Sequence, residues 1–220
     1  MFYKYFINKI KLFNFRKKWR KENKHNLAIA TNIFPINLVK VGKYTYGPLD
    51  IRSWKVKNEG LEIGNYVSIA EGVKFLLSGN HFFQNFTTYP IKTHISLEKN
   101  ATEVFSKGKI IIKDDVWIGS EAMILSGVIV EQGAIIAARS VVTKAVPAYS
   151  IVAGNPAKVV KYRFSQEIID ELKKVDFSKI KKENFNTYKN ELYKEIDSLD
   201  KVKKLIFLLQ GEKFNGDKLF

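Results

Sequence analysis

His81 is the residue of this chain best suited to chemistry. The 220 residues hold three histidines, His25, His81 and His94, and no cysteine. Thiol nucleophiles, disulfides and thiolate-bound metals are therefore excluded. Histidine is the side chain matched to proton transfer near neutral pH. His81 sits in residues 77–90, Leu-Ser-Gly-Asn-His-Phe-Phe-Gln-Asn-Phe-Thr-Thr-Tyr-Pro, within a non-repetitive stretch. A loop long enough to leave a rigid scaffold commonly carries function. A lone histidine is more often structural than catalytic, so the residues around it must decide. A catalytic zinc needs about three protein ligands; with these histidines unclustered and no cysteine, no metal site is expected.

The elements that must position His81 are legible as a repeat. Ile112, Ile118, Ile124, Val130, Ile136 and Val142 stand six apart, and Val116, Ala122, Val128, Ala134, Ser140 and Val146 follow four positions after each. Such a period is neither helical nor that of one alternating strand. It fits a coil with three flat faces, each a short strand and a turn, whose corner residues point inward and stack. Val41-Gly42 with Thr45, Ile63-Gly64 with Val67, and Ile69-Ala70 with Val73 continue the pattern upstream. Ile63 and Ile112 are 49 positions apart, one more than eight repeats, so the register breaks between Leu76 and Lys109. Small residues after the apolar one suit tight corners.

Three segments result: residues 1–30 as a basic helix and linker, 31–160 as the β-coil with a loop at 76–109, and 161–220 as a helical extension. Ser165 is placed to cap the first helix of that extension, with Ile168, Ile169 and Leu172 on its apolar face. A second helical stretch is expected from about Glu183 to Gln210, interrupted near Ser198. The simplest role for these helices is to cover an end or side of the coil, whose last strand edge would otherwise be open.

The formal charge is +15, which favours anionic partners. Much of it lies in residues 1–26, where nine basic residues accompany one acid, Glu22, and Phe2, Phe6, Ile10, Phe13 and Trp19 interleave them. That pattern is a basic amphipathic helix. It suits docking on the protein itself or contact with an anionic membrane surface. No nucleic-acid motif accompanies the charge, so no nucleic-acid partner is expected. With no signal-peptide pattern and no stretch of about 18 apolar residues, the expected location is cytoplasmic, with a peripheral position on the inner membrane face as the variant.

Gly79-Asn80-His81 followed by Thr88-Tyr89-Pro90 resembles the active-site loop of the xenobiotic acetyltransferase group of hexapeptide-repeat acyltransferases. The runs from Asp115 to Ile124 and from Ala153 to Lys158 resemble the same group, over about residues 36–175. The segments from Trp19 to Asn26 and from Val41 to Gly47 look more like its polysaccharide-biosynthesis O-acetyltransferases. The drug-modifying members carry an Asp-Trp pair shortly after the histidine; Phe82-Phe83-Gln84-Asn85-Phe86 stands here instead.

The resemblance implies a mainly β fold, a left-handed parallel β-helix with an inserted active-site loop. It implies a homotrimer with sites between subunits, and acetyl-CoA as acyl donor. His81 takes the place of the general base that deprotonates an acceptor hydroxyl. Ser120 would meet the pantetheine arm, Ala138 would hydrogen-bond further along, Thr143 and Lys144 would lie near the nucleotide, and Lys158 and Lys161 near its phosphates. On stacked coils about 4.8 Å apart these positions can line one long groove. Asn80, Tyr89 and Trp117 fall on the acceptor side. The implied activity is O-acetylation of a sugar hydroxyl of a surface polysaccharide or its precursor; the alternative acceptor is an antibiotic hydroxyl, as in chloramphenicol or a streptogramin. Rival classes are a γ-type carbonic anhydrase, which the scattered histidines disfavour, and a non-enzymatic scaffold, which the histidine loop disfavours.

Overall fold

The six-residue period builds a three-sided coil. The computed structural model describes residues 2–210, in two units, the first ending at Lys161 and the second beginning at Tyr162. Face one stacks β2 (Val39–Val41), β4 (Leu61–Ile63), β9 (Ile110–Ile112) and β12 (Ile129–Val130). Face two stacks the start of β3 (Tyr46–Arg52), then β5 (Ser68–Ile69), β10 (Trp117–Ile118), β13 (Ile135–Ile136) and β15 (Ser150–Gly154), with β16 (Ala157–Tyr162) beside β15. Face three stacks the end of β3, β6 (Lys74–Leu76), β11 (Met123–Leu125) and β14 (Val141–Val142).

Neighbouring strands of the regular part are parallel and partner residues 18 positions apart, as in Trp117↔Ile135 and Met123↔Val141, so three hexapeptides make one turn. All twelve residues of the two stacked series are buried, from Ile112 and Val116 to Val142 and Val146. Burying one such Ile or Val contributes about 1.5–3 kcal/mol. The corners need left-handed backbone. Tyr44, Tyr66 and Asp115 adopt it between faces one and two (φ 59, 57 and 57°), Glu121 and Arg139 between faces two and three (φ 60 and 59°). Coils approach so closely there that a Cβ on Gly64 would stand 2.8 Å from the Asp114 backbone N.

The expected break in register is present: Ile63↔Ile112 and Phe75↔Ile124 pair across 49 positions instead of 18. A second, unexpected break lies upstream, where Val41↔Ile63 spans 22 and Asp50↔Lys74 spans 24 positions. It accommodates an irregular loop at residues 53–60. The coil also starts earlier than 31, because β1 (Leu27–Ala30) already pairs in parallel with β3 through Leu27↔Tyr46.

α1 (Phe2–Glu22) contains no Gly or Pro and closes with Arg20 and Lys21 in its last turn, where cations suit the helix dipole. Its C-terminal half is fastened to β1. Trp19 is 1% exposed; its indole N–H donates to the Ala28 carbonyl at 3.0 Å and its ring meets Phe34 edge-on at 5.4 Å. Arg16 Nε donates to the Ala30 carbonyl at 2.7 Å, and Arg20 bonds the carbonyls of Asn23, Asn26 and Ala28.

The second unit holds α3 (Gln166–Leu172), α4 (Lys182–Leu192) and α5 (Leu199–Gln210). Ser165 stands at the N-cap of α3 without a side-chain capping bond. Val175, Ile180 and Leu209 form a small core with Phe177, Phe185, Leu192 and Ile206 packed against it.

Candidate active site

The loop that carries His81 leaves the corner between faces three and one, after β6, and returns at β9. At its root β7 (Asn80–His81) pairs antiparallel with β8 (Val104–Phe105), His81 opposite Val104. The His81 ring is exposed, and its Nδ1 lies 2.7 Å from the Thr88 carbonyl oxygen. A carbonyl can only accept, so Nδ1 carries the proton. In the neutral ring Nε2 is then the nitrogen that carries the lone pair. This is the tautomer that a general base requires, and the partner that selects it is a backbone atom seven residues away.

Three further contacts seat the loop. The Asn80 amide donates to the Phe105 carbonyl and to Ser126 Oγ, both at 3.0 Å. Ser126 belongs to the same corner one coil later. Behind the loop, the buried Glu59 carboxylate accepts hydrogen bonds from Ser53 Oγ and Ser78 Oγ, each at 2.5 Å, and from the Trp54 N–H at 3.3 Å. Trp54 in turn lies over Gly79 (φ +94°), where a Cβ would be 3.0 Å from the indole ring. In front, a cleft of about 190 Å³ is lined by Phe82, Thr87, Thr88, Tyr89 and Glu103 among others. Within the loop is a short helix, α2 (Ile91–His94). Glu103 accepts the backbone N–H groups of Lys92 and Thr93 at 3.0 and 2.8 Å, capping it. Burial acts to raise the Glu103 pKa, but the bonds from Thr93 and Lys92 and the Lys92 charge outweigh it, and the carboxyl stays below its usual range.

Ser120 and Ala138 share the next corner, between faces two and three, on successive coils. The Arg139 N–H donates to the Ser120 carbonyl at 2.8 Å, and Gly119 lies so close to the next coil that a Cβ there would stand 2.6 Å from Ala138 N. Both residues are exposed, and their own backbone N–H groups have no partner among the described residues. Exposed backbone donors on successive coils fit the amide carbonyls of a pantetheine arm. Thr143 and Lys144 do not continue this column: they follow β14 and sit on the corner between faces three and one, below the root of the His81 loop. The single groove expected from sequence is thus divided over two corners, because one hexapeptide moves the chain to the next face. Lys158 and Lys161 project from β16 and are exposed. Trp117 is half-exposed on the outer side of face two.

Tyr89 lines the cleft beside Thr88. Asn80 differs: its amide N–H groups are taken up within the loop's root. His25 Nε2 bonds the Val41 carbonyl at 2.8 Å, and the His94 ring sits 5.9 Å from that of Tyr89. Among the described residues no three His, Asp or Glu side chains converge as metal ligands. Sequence reasoning named Thr88 in the motif but not the bond its carbonyl makes, which leaves no side-chain signal, and it missed Glu59, a single acid in an irregular loop.

The profile of bacterial transferase hexapeptides (six repeats) matches residues 109–144. A probable macrolide acetyltransferase of Lysinibacillus sphaericus is 46% identical over 122 residues, covering 53% of this chain and 68% of that protein. A chloramphenicol acetyltransferase of Agrobacterium fabrum is 38% identical over 149 residues, covering 60% and 71%. A hexapeptide-repeat acetyltransferase of Vibrio cholerae, solved in complex with acetyl coenzyme A, matches with a TM-score of 0.51 at 22% identity, over 68% of this chain and 77% of that one. The shared fold is the left-handed parallel β-helix.

Proposed function

The chain belongs to the hexapeptide-repeat family of acetyl-CoA-dependent acetyltransferases, and we propose that it O-acetylates a sugar hydroxyl of a surface polysaccharide or of its precursor. The observation that carries the reaction is the His81 tautomer. Nε2 takes the proton of the acceptor hydroxyl as its oxygen attacks the thioester carbonyl. The carbon–sulfur bond breaks, and the same proton passes to the departing coenzyme A sulfur. No enzyme nucleophile is needed, in keeping with a chain without cysteine. Ser120 and Ala138 hold the donor's arm through their backbone N–H groups, and Lys144, Lys158 and Lys161 supply cations for its phosphates.

His81 and the Ser120–Ala138 column occupy different corners of one coil. We therefore favour a homotrimer, in which the loop of one subunit reaches the donor corner of the next. The outer row of face two, Leu27, Tyr46, Trp117, Ile135 and Ile151, supplies an uncharged surface for such packing. The basic first helix favours a place against the inner face of an anionic membrane, where lipid-linked glycan precursors are made.

The sugar acceptor is supported by the run Phe82-Phe83-Gln84-Asn85-Phe86, where the drug-modifying enzymes carry an Asp-Trp pair. A second reading, an antibiotic hydroxyl, is favoured by the identity with the macrolide and chloramphenicol enzymes. Incubating the protein with acetyl-CoA and a panel of glycans, glycan precursors, macrolides and chloramphenicol separates the two. The expected result is coenzyme A release with an acetyl mass increment on a glycan acceptor. Transfer to the drugs alone replaces the first reading with the second, and no transfer to any hydroxyl removes both.

A further inference from the structure

α1 presents two apolar faces, and the protein itself uses only one. Phe15 and Trp19 turn inward, their rings 5.0 and 5.4 Å from Phe34. Tyr3, Phe6, Ile10 and Phe13 stand on another side, one stripe spaced three, four and three residues apart, and they are 80, 64, 45 and 57% exposed. Exposed single apolar residues are ordinary, but four aligned on one helix face form a patch that calls for a partner.

We infer that this stripe is the insertion face of an interfacial helix, and that its partner is an anionic lipid surface. Three observations select that partner. First, the stripe is flanked by exposed basic residues, Lys9 on one side and Lys11 and Lys18 on the other, and Lys17 Nζ lies 4.5 Å over the Phe13 ring. Glu22, the last residue, is the only acid of the helix. An apolar band between cations matches the acyl boundary below a layer of lipid phosphates. A second copy of this helix would bring like charges together, whereas face two offers copies an uncharged row. Second, no helix among the described residues is long and apolar enough to cross a membrane, so α1 would lie on the surface and not through it. Third, the mounting is rigid. Trp19, Arg16 and Arg20 fix the C-terminal half to β1, so that the stripe is held out from the coil before any lipid is met.

The inference deepens the membrane placement proposed above and is independent of the acceptor. Removing residues 1–20 would not test it, because that deletion takes out Trp19 and Arg16 and opens the first coil. The test is the full-length F6S/I10S/F13S variant, read by co-sedimentation with phosphatidylcholine vesicles with and without phosphatidylglycerol, at low and high salt. Acetyl transfer to a soluble acceptor and oligomeric state are measured in parallel. The wild type should bind the phosphatidylglycerol vesicles, more weakly in high salt, and bind the neutral ones little. The variant should lose roughly 10-fold or more of that binding, with transfer and oligomeric state unchanged. Wild-type binding by the variant assigns the attraction to the lysines alone and overturns the insertion face. Equal binding to both vesicle types overturns the anionic partner. A changed oligomeric state gives the stripe to a second copy. Loss of transfer in the wild type, with vesicle binding intact, counts against the enzymatic reading only.

Discussion

The regular coils and the histidine loop obey opposite rules. From Ile110 to Val152 each inward corner residue is buried; strands partner 18 positions apart through β14, and β15 pairs with β13 across 16. From residue 82 to 100 no side chain is buried. That segment stays in place through a few directed bonds: Thr88 to His81, Glu103 to the start of α2, Asn80 to Phe105 and Ser126. The coils are stabilised by non-directional burial, repeated so often that no single contact sets the shape. The loop depends on single hydrogen bonds whose loss nothing replaces. Substitutions should therefore separate cleanly: stability for the coils, turnover for the loop.

The largest effect is expected at His81. His81→Ala should lower kcat roughly 10²–10⁴-fold, the usual contribution of a general base, while the melting temperature and coenzyme A binding stay near wild type. His94→Ala should be mild, and His25→Ala should cost stability through its bond to Val41 and leave turnover alone. Calorimetry together with steady-state kinetics reads both halves. Near-normal transfer by His81→Ala would falsify the assignment of the base.

Next in size is a coil residue. Ile124 is fully buried and pairs with Phe75 and Val142. Ile124→Ala should destabilise by about 2–5 kcal/mol through lost burial and a cavity, seen as a lower denaturant midpoint. At a temperature where the variant remains folded, kcat should be close to wild type. A large fall in kcat without loss of stability would break the separation between the two regions.

The same contrast explains what was legible in the sequence. Ile112 through Val142 announced the coil because burial at a fixed interval is written into residue type. The insertion at 77–109 was legible as an interruption of that interval. The break at 53–60 was not, since the imperfect upstream repeat left nothing to count against. His81 was legible through Gly79-Asn80-His81 and Thr88-Tyr89-Pro90, but what orients it, the Thr88 carbonyl, is a backbone atom that every residue possesses. Ser120, Ala138, Thr143 and Lys144 were read together as one groove. The position of Thr143 and Lys144 on another corner follows only from tracing which face each hexapeptide occupies. α1 was legible as basic and apolar. Its composition did not reveal that Trp19 turns inward while Phe6, Ile10 and Phe13 turn out, because that division depends on where β1 lies.

Glu59 joins the two regions and gives the smallest and most discriminating effect. It is 4% exposed, and among the described residues no lysine or arginine pairs with it. A buried carboxylate without a cation is costly unless hydrogen bonds satisfy it, and here two hydroxyls and one backbone N–H do so. The bonds tie the irregular 53–60 loop to Ser78, and Trp54 then closes over Gly79, two residues before His81. Glu59→Gln keeps the size of the side chain but replaces one acceptor oxygen with a donor that meets a serine hydroxyl. The bond to a charged acceptor that this weakens is worth about 1.5–3 kcal/mol, part of which should appear as lower stability. If Glu59 is a positioning residue for His81, the rest should appear in turnover: kcat down roughly 10-fold, by misplacement of the base, with KM for acetyl-CoA unchanged because the donor corner at Ser120 and Ala138 is untouched. Ser78→Ala should reproduce the pattern more weakly, since Ser53 still donates to one carboxylate oxygen and the Trp54 N–H to the other. A variant that melts earlier but turns over at the wild-type rate would make Glu59 a strut of the coil and leave His81 to be oriented by Thr88 and Asn80 alone.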